Sequence, residues 1–204
     1  MTDNTPALTK ENVKANPIEQ FQQWYEEAVA AEIPEVEAMA LATATKEGAP
    51  SARIVLLKSF DQDGFVFYTN YESRKAKELT DNALASLLFY WMPVKRQVRI
   101  EGTVEKVSAE ESENYFRTRP FGSKLGAWAS NQSEVIPSRE ELEKRFEEFG
   151  WKFGDNIPRP PHWGGYRIRP QMIEFWQGRE NRLHDRLRYR LQPEGSWLIE
   201  RLGP

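Results

Sequence analysis

Apolar residues recur along this chain with two periods, and the switch from one to the other marks out the elements. Asn16 and Pro17 read as an N-cap and a first-turn proline, after which Ile18, Phe21, Tyr25 and Ala28 return on one helical face. Beyond them the pattern is that of strands. Segments 37–45 (EAMALATAT) and 51–60 (SARIVLLKSF) are joined by KEGAP, and FDQDGF turns the second into a hairpin with FVFYT at 65–69. Ser73 opens a short helix, SRKAKELT. ALASLLFYW at 83–91 then reads as a buried strand, and RQVRIEGTVEKV at 96–107 as a long one whose Gly102 marks a bulge. Ser108 with Glu111, and Ser138 with Glu141, are capping boxes that each open a helix. Four strand candidates close the chain: WGGYRIR (163–169), MIEFWQG (172–178), LHDRLRYRL (183–191) and SWLIERL (196–202).

Roughly eight strands with short turns, and helices between only some of them, predict a mainly β fold, an antiparallel barrel with peripheral helices. A doubly wound parallel sheet would alternate strands with helices and carry a glycine-rich phosphate loop, and the sequence has neither. Residues 1–15 contain no apolar anchor and are expected to be a mobile segment, leaving 16–204 as a single domain.

Composition narrows the chemistry. The chain has 204 residues, no cysteine and two histidines, which excludes thiolate sites, a cysteine nucleophile and a histidine-rich metal centre. With 28 basic against 31 acidic residues there is no basic excess to coat nucleic acid. No apolar run reaches membrane-spanning length and the N-terminus lacks a signal-peptide core, so a cytoplasmic protein is expected.

The basic residues are nevertheless concentrated. From Arg182 the alternate positions are Arg182, His184, Arg186, Arg188 and Arg190, with Leu183, Asp185, Leu187, Tyr189 and Leu191 between them. As a strand this would be a ladder of positive charge opposite a mostly apolar face, which calls for anionic company. Arg53 and Lys58 bracket an apolar strand. Tyr68 and Thr69 end another, just before Ser73, Arg74 and Lys75 open a helix whose free amides suit an anion. Tyr115 and Arg119 are four apart on a helix, with Ser123 four further on, so that two hydroxyls and a guanidinium converge on one phosphate. Taken singly, each group also fits a solvated surface role, and Trp176 and His184 fit a structural one. Together they describe a cationic, hydroxyl-rich, aromatic-walled site for a flat phosphorylated ligand.

RIVLLK, FYTNYESRKA, RQVRIEG, YFRTRP, GAWASNQS, HWGGYRI and IEFWQGRENRLHDR, in this order, closely resemble the motifs of the pyridoxamine/pyridoxine phosphate oxidase family. The resemblance runs from about Asn16 to the C-terminal RLGP. It implies an FMN-binding split β-barrel and a homodimer with FMN at the subunit interface. The implied reaction is oxidation of pyridoxamine 5'-phosphate or pyridoxine 5'-phosphate to pyridoxal 5'-phosphate, with oxygen reduced to hydrogen peroxide. It also implies that FMN is held by Arg53, Ile54, Val55, Leu56, Leu57, Lys58, Tyr68, Thr69, Arg74, Lys75, Gln97, Gln132, Ser133, Trp176 and Arg186. Lys58, Tyr115, Arg119 and Ser123 would hold the substrate phosphate, and Arg182 and His184 would act beside the pyridine ring. Many family members carry an arginine-and-tyrosine segment near the N-terminus that folds over substrate; TPALTKENVKANP has neither residue. A flavin oxidase of the phenazine-biosynthesis branch and a non-catalytic binder of FMN or pyridoxal phosphate are the alternative readings.

Overall fold

A computed structural model describes residues 6–204. Helix α1 (Pro17–Ala30) starts where the sequence places it, with the Asn16 side chain accepting from the Ile18 amide at 2.8 Å. Its buried face sets Phe21 among Phe60, Phe65, Phe89 and Trp91, at ring-centroid distances of 4.9 to 6.0 Å, and Trp24 edge-on to Phe175. This aromatic plug fills a curled antiparallel sheet. Its strands are β1 (Ala38–Ala44), β2 (Pro50–Leu56), β3 (Ser59–Asp61), β4 (Gly64–Asn70), β5 (Leu84–Trp91), β6 (Arg96–Lys106), β7 (Trp163–Gln177), β8 (Asp185–Leu191) and β9 (Trp197–Arg201). The order is β2-β1-β5-β6-β7-β4-β3, with β8 and β9 continuing from β7. Helices α2 (Arg74–Asp81), α3 (Ala109–Thr118), α4 (Phe121–Ala129) and α5 (Arg139–Phe153) lie between strands. Ser108 and Ser138 cap α3 and α5 as expected.

The sheet nearly closes on itself. β2 runs through Leu57 and Lys58 into β3, which pairs with β4, and the Lys58 amide donates to the Val66 carbonyl at 2.9 Å. Along Arg53–Leu56, however, β2 pairs only with β1, and β4 beyond Val66 pairs only with β7. Two strand edges therefore face each other across a split with backbone groups unspent.

Three expectations change. The segments 163–169 and 172–178 form one strand, β7, that continues through Pro170. A proline cannot donate to a ladder, but here it costs little. On the side away from β6, pairing with β4 has ended at Ile168 and pairing with β8 begins only at Met172. Secondly, the strand expected at 183–191 begins only at Asp185. Asn181 and Arg182 have φ of 54° and 60° in a tight turn, so Arg182 and His184 leave the ladder. The remaining rungs find their anions within the chain: Arg186 pairs with Glu174, and Arg188 and Arg190 with Glu200. Thirdly, α4 was not anticipated, because Pro120 and two glycines disguise a helix that buries Leu125, Ala127 and Ala129.

Of the segment set apart as mobile, residues 1–5 lie outside the described residues, and 6–15 contact the domain. Leu8 is buried and its amide donates to Asp185 at 3.1 Å. Arg179 donates to the Pro6 carbonyl, and Tyr189 donates to that of Lys14 at 2.7 Å.

β6 and β7 shift register at Glu101/Gly102. A Cβ on Gly102 would sit 1.9 Å from the Arg169 carbonyl oxygen, a backbone atom that cannot turn aside. Gly102→Ala is therefore expected to cost about 1–3 kcal/mol, as overpacking does. It should appear as a lower urea midpoint; an unchanged midpoint would mean that the bulge does not need glycine.

Candidate functional site

The split between β2 and β4 opens into a cavity of about 330 Å³. One wall is the free edge of β2, contributing Arg53, Ile54, Val55 and Leu56, with Lys58 beyond. Facing it are Tyr68 and Thr69 of β4, Lys75 from the first turn of α2, Tyr115 and Arg119 from α3 and its C-cap, Gln132 and Trp163. Leu57, expected among these, is buried in the core instead. A smaller adjoining cavity of about 220 Å³ shares Arg119, Gln132 and Trp163 and adds Ser123. Arg74 and Ser133 line a separate neighbouring cavity that also touches Gln132.

Aromatic stacking builds one end. Tyr68 and Tyr115 lie 4.0 Å apart and 15° from parallel, and Tyr68 stacks on Trp163 at 5.4 Å. The arrangement depends on Gly165, where a Cβ would come within 2.8 Å of the Tyr68 ring. The Arg119 guanidinium sits over Trp163, 4.5 Å from its centroid. Burial lowers the Arg119 pKa from its ordinary value, with Tyr115 opposing, and its Nη1 is buried without a hydrogen-bond partner. Such an orphan donor is costly and marks the place where an acceptor belongs. Among the described residues, every arginine except Arg119 and Arg182 has a carboxylate within ion-pairing distance.

The other end is a cationic pocket. The Lys75 ammonium donates to Thr69 Oγ1 (3.2 Å), Ser73 Oγ (3.3 Å) and Gln132 Oε1 (2.7 Å), all neutral acceptors. Burial, followed by the Arg53 charge, pushes its pKa down to about 8. Arg53 is anchored by the Leu41 carbonyl, Thr43, Ser51 and Glu78.

Gln97, Trp176, Arg182, His184 and Arg186 are absent from all three of these cavities. Gln97, Trp176 and Arg186 form one cross-strand row on β6, β7 and β8. Beside this row His184 packs 4.7 Å from Trp176, and its Nδ1 accepts from the Arg179 amide at 3.1 Å, leaving Nε2 free. Trp163 begins β7 and Trp176 is its penultimate residue, so at about 3.3 Å per residue some 43 Å of strand contour separates the two clusters. Sequence reasoning placed Trp163 only in a strand and did not single out Glu78. The i,i+4 spacing of Arg74 and Glu78 was the available signal for the latter.

The model of a family described as pyridoxamine 5'-phosphate oxidase matches residues 25–151. The chain belongs to that family. A second model, described as the pyridoxine 5'-phosphate oxidase C-terminal dimerisation region, matches residues 163–204. A pyridoxine/pyridoxamine 5'-phosphate oxidase of Bordetella pertussis is 59% identical over 197 residues, covering 97% of this chain and 93% of that protein. One of Cupriavidus necator is 58% identical over 198 residues, with the same coverage. The crystal structure of PhzG from Burkholderia lata in complex with tetrahydrophenazine-1-carboxylic acid is 34% identical, with a TM-score of 0.91 over 98% of this chain and 99% of that one. A pyridoxamine 5'-phosphate oxidase-related, FMN-binding protein of Nostoc punctiforme, 17% identical, covers 94% of this chain with a TM-score of 0.75 and shares the split-barrel fold.

The Lys75 environment has a consequence for any phosphate bound there. A dianion favours the charged ammonium and raises its pKa above the free value of about 8. Affinity for a phosphate monoester is therefore expected to be level near pH 7 and to weaken as pH rises through about 8. Lys75→Met should weaken binding and remove the inflection. Flavin-fluorescence titrations with FMN from pH 7 to 9.5 read this directly, and a wild-type affinity flat across that range would contradict it.

Proposed function

We propose that this protein is an FMN-dependent oxidase that converts pyridoxamine 5'-phosphate or pyridoxine 5'-phosphate to pyridoxal 5'-phosphate, with oxygen as electron acceptor. The observation that carries the reading is the half-buried Arg119 guanidinium, with its Nη1 buried and unpaired, beside stacked aromatic rings. A site of that kind fits a flat ligand with one phosphate, and it lies next to a second cationic pocket at Lys75 and Arg53 that fits another.

In this reading the free β2 edge (Arg53, Ile54, Val55, Leu56), Lys58, Tyr68, Thr69, Arg74, Lys75, Gln132 and Ser133 hold FMN, the pocket around Lys75 taking its phosphate. Bound FMN would supply the hydride acceptor for the substrate's exocyclic carbon and pass the electrons to oxygen, giving hydrogen peroxide. The alcohol then yields the aldehyde directly, whereas the amine yields an imine that water hydrolyses with release of ammonia. Lys58, Tyr115, Arg119 and Ser123 fix the substrate phosphate, and Arg182 and His184 orient the pyridine ring. Holding donor carbon and acceptor in line is the protein's contribution to the rate.

The second cluster, Gln97, Trp176 and Arg186 with Arg182 and His184, reaches the cofactor from a second copy of the chain. Two features support a homodimer. The C-terminal part matches a dimerisation region, and the sheet exposes Ile54 (65%), Leu56 (39%) and Leu84 (55%), together with Tyr90 (58%) directly beside Gln97. An isologous contact through this face sets the β2 edge of each copy against the other.

PhzG keeps the phenazine-type reading in view. A ligand carrying a ring carboxylate and no phosphate would answer the Arg119 end of the cleft, with its orphan Nη1, less fully than a phosphate does, which favours the phosphorylated substrate. The deciding assay adds pyridoxamine 5'-phosphate to FMN-loaded protein and measures hydrogen peroxide. Peroxide release is expected, and Arg119→Ala and Arg182→Ala should each retain flavin while raising KM by roughly ten- to a hundredfold, the effect of one charge-assisted hydrogen bond. Absence of peroxide with both vitamin B6 phosphates would overturn the assignment. In that case, oxidation of a tetrahydrophenazine carboxylate would point to the phenazine branch, and tight FMN without turnover to a binder.

A further inference from the structure

Glu78, on the inner face of α2, is 5% exposed and has no part in the reading above. Its Oε2 accepts from Thr43, from Ser51 at 2.6 Å and from Arg53 at 3.3 Å, while Oε1 accepts from Arg74 at 2.8 Å. One buried carboxylate thus grips Arg53, at the cationic end of the split, and Arg74, which lines the neighbouring cavity. The grip is oriented. Arg53 spends Nη1 on Leu41 and Thr43 and Nη2 on Ser51 and Glu78, whereas Arg74 spends only Nε on Glu78. Among the described residues the terminal nitrogens of Arg74 have no protein acceptor, although the side chain is tied down at its Nε.

Charge points the same way. Arg53 and Lys75 bring two cations to the end of the split that Glu78 backs, and Arg74 adds a third from the neighbouring cavity. A phosphate monoester, a dianion above its second ionisation near pH 6, is a counter-ion that suits them. Four donors hold Glu78 ionised, its pKa lowered to about 2 by the Ser51, Thr43 and Arg74 hydrogen bonds and the Arg53 charge against the penalty of burial.

We propose that Glu78 is a positioning residue for the cofactor phosphate, its two oxygens presetting the Arg53 and Arg74 guanidinium groups before the phosphate arrives. The proposal rests on the FMN reading of the cleft. A carboxylate that merely pins α2 against β1 and β2 would support the isoalloxazine and phosphate ends alike. A positioning residue supports the phosphate end alone.

Comparing FMN with riboflavin, which lacks the phosphate, separates these roles. Full-length apoprotein is titrated with each flavin, following fluorescence quenching, for wild type, Glu78→Gln and Glu78→Asp. Wild type should bind FMN more tightly than riboflavin; if it does not, the FMN reading itself fails. Glu78→Gln, which keeps the shape and loses the charge, should weaken FMN by about tenfold or more while riboflavin stays within about twofold. Glu78→Asp keeps the charge but is one methylene too short to span both arginines, and it should show the same selective loss to a smaller degree. It also serves if Glu78→Gln does not fold. Equal weakening of both flavins, or a wild-type FMN-to-riboflavin ratio in Glu78→Asp, would overturn the proposal while leaving the FMN reading standing.

Discussion

β7 pairs with β6 along its length but changes its other partner from β4 to β8 around Pro170, and the placement of the site follows from that change. Before the proline, β7 supports Tyr68 and Thr69 on β4 and supplies Trp163 as the floor beneath Arg119. After it, β7 carries Trp176 beside Arg186 and leads into the turn that holds Arg182 and His184. A continuous strand is stiff along its axis, so these two groups cannot be brought together by a small rearrangement within one chain. They can meet across a two-fold axis, where one copy's start of β7 approaches the other's end.

Charge pairing sharpens the picture. In this arginine-rich sheet the guanidinium groups are paired with carboxylates on neighbouring strands, turns or helices. Glu174 is buried between Arg99 and Arg186, with each oxygen taking one of them at 2.8 Å. Losing either arginine would leave the buried Glu174 carboxylate only half compensated, so both help to hold the sheet. Against that background Arg119 and Arg182 stand apart: one is half-buried with an orphan Nη1 donor, the other held in a left-handed turn. Backbone strain of this kind, about 1–3 kcal/mol for a non-glycine residue, is tolerated where the surrounding structure fixes it, and such positions cluster at functional sites.

How much of this was legible in the sequence depended on range. The Asn16 cap, the two Ser–Glu capping boxes and the Gly102 bulge are local signals, and each was read directly. Pro170 misled because its tolerance depends on β4 and β8, both far away in the chain. The alternation from Arg182 misled for the opposite reason: a period of two persists through Arg182–His184 by coincidence, while left-handed backbone at Asn181 and Arg182 keeps the strand from starting there. The arginine ladder reads in the sequence as company for bound phosphates, whereas Arg186, Arg188 and Arg190 pair with Glu174 and Glu200, partners that emerge only once the register of β7 and β9 is known. The motifs named most of the cleft-lining residues, but not that Gln97, Trp176 and Arg186 lie on a different part of the chain's surface, nor that Trp163 lines the cleft and Glu78 supports it from behind.

The central claim is that each site is assembled from the split of one copy and the β7–β8 end of another. Subunit complementation tests it most directly. Arg119→Ala and Arg182→Ala are each expected to be crippled at subsaturating pyridoxamine 5'-phosphate. A heterodimer of the two, purified through distinct tags, would carry one site with both defects and one with neither. Shared sites therefore predict that the isolated heterodimer recovers roughly half of the wild-type peroxide-forming rate per dimer, far above either parent. If the heterodimer is no more active than the average of its parents, Arg119 and Arg182 act within a single chain, and the two-copy account is wrong.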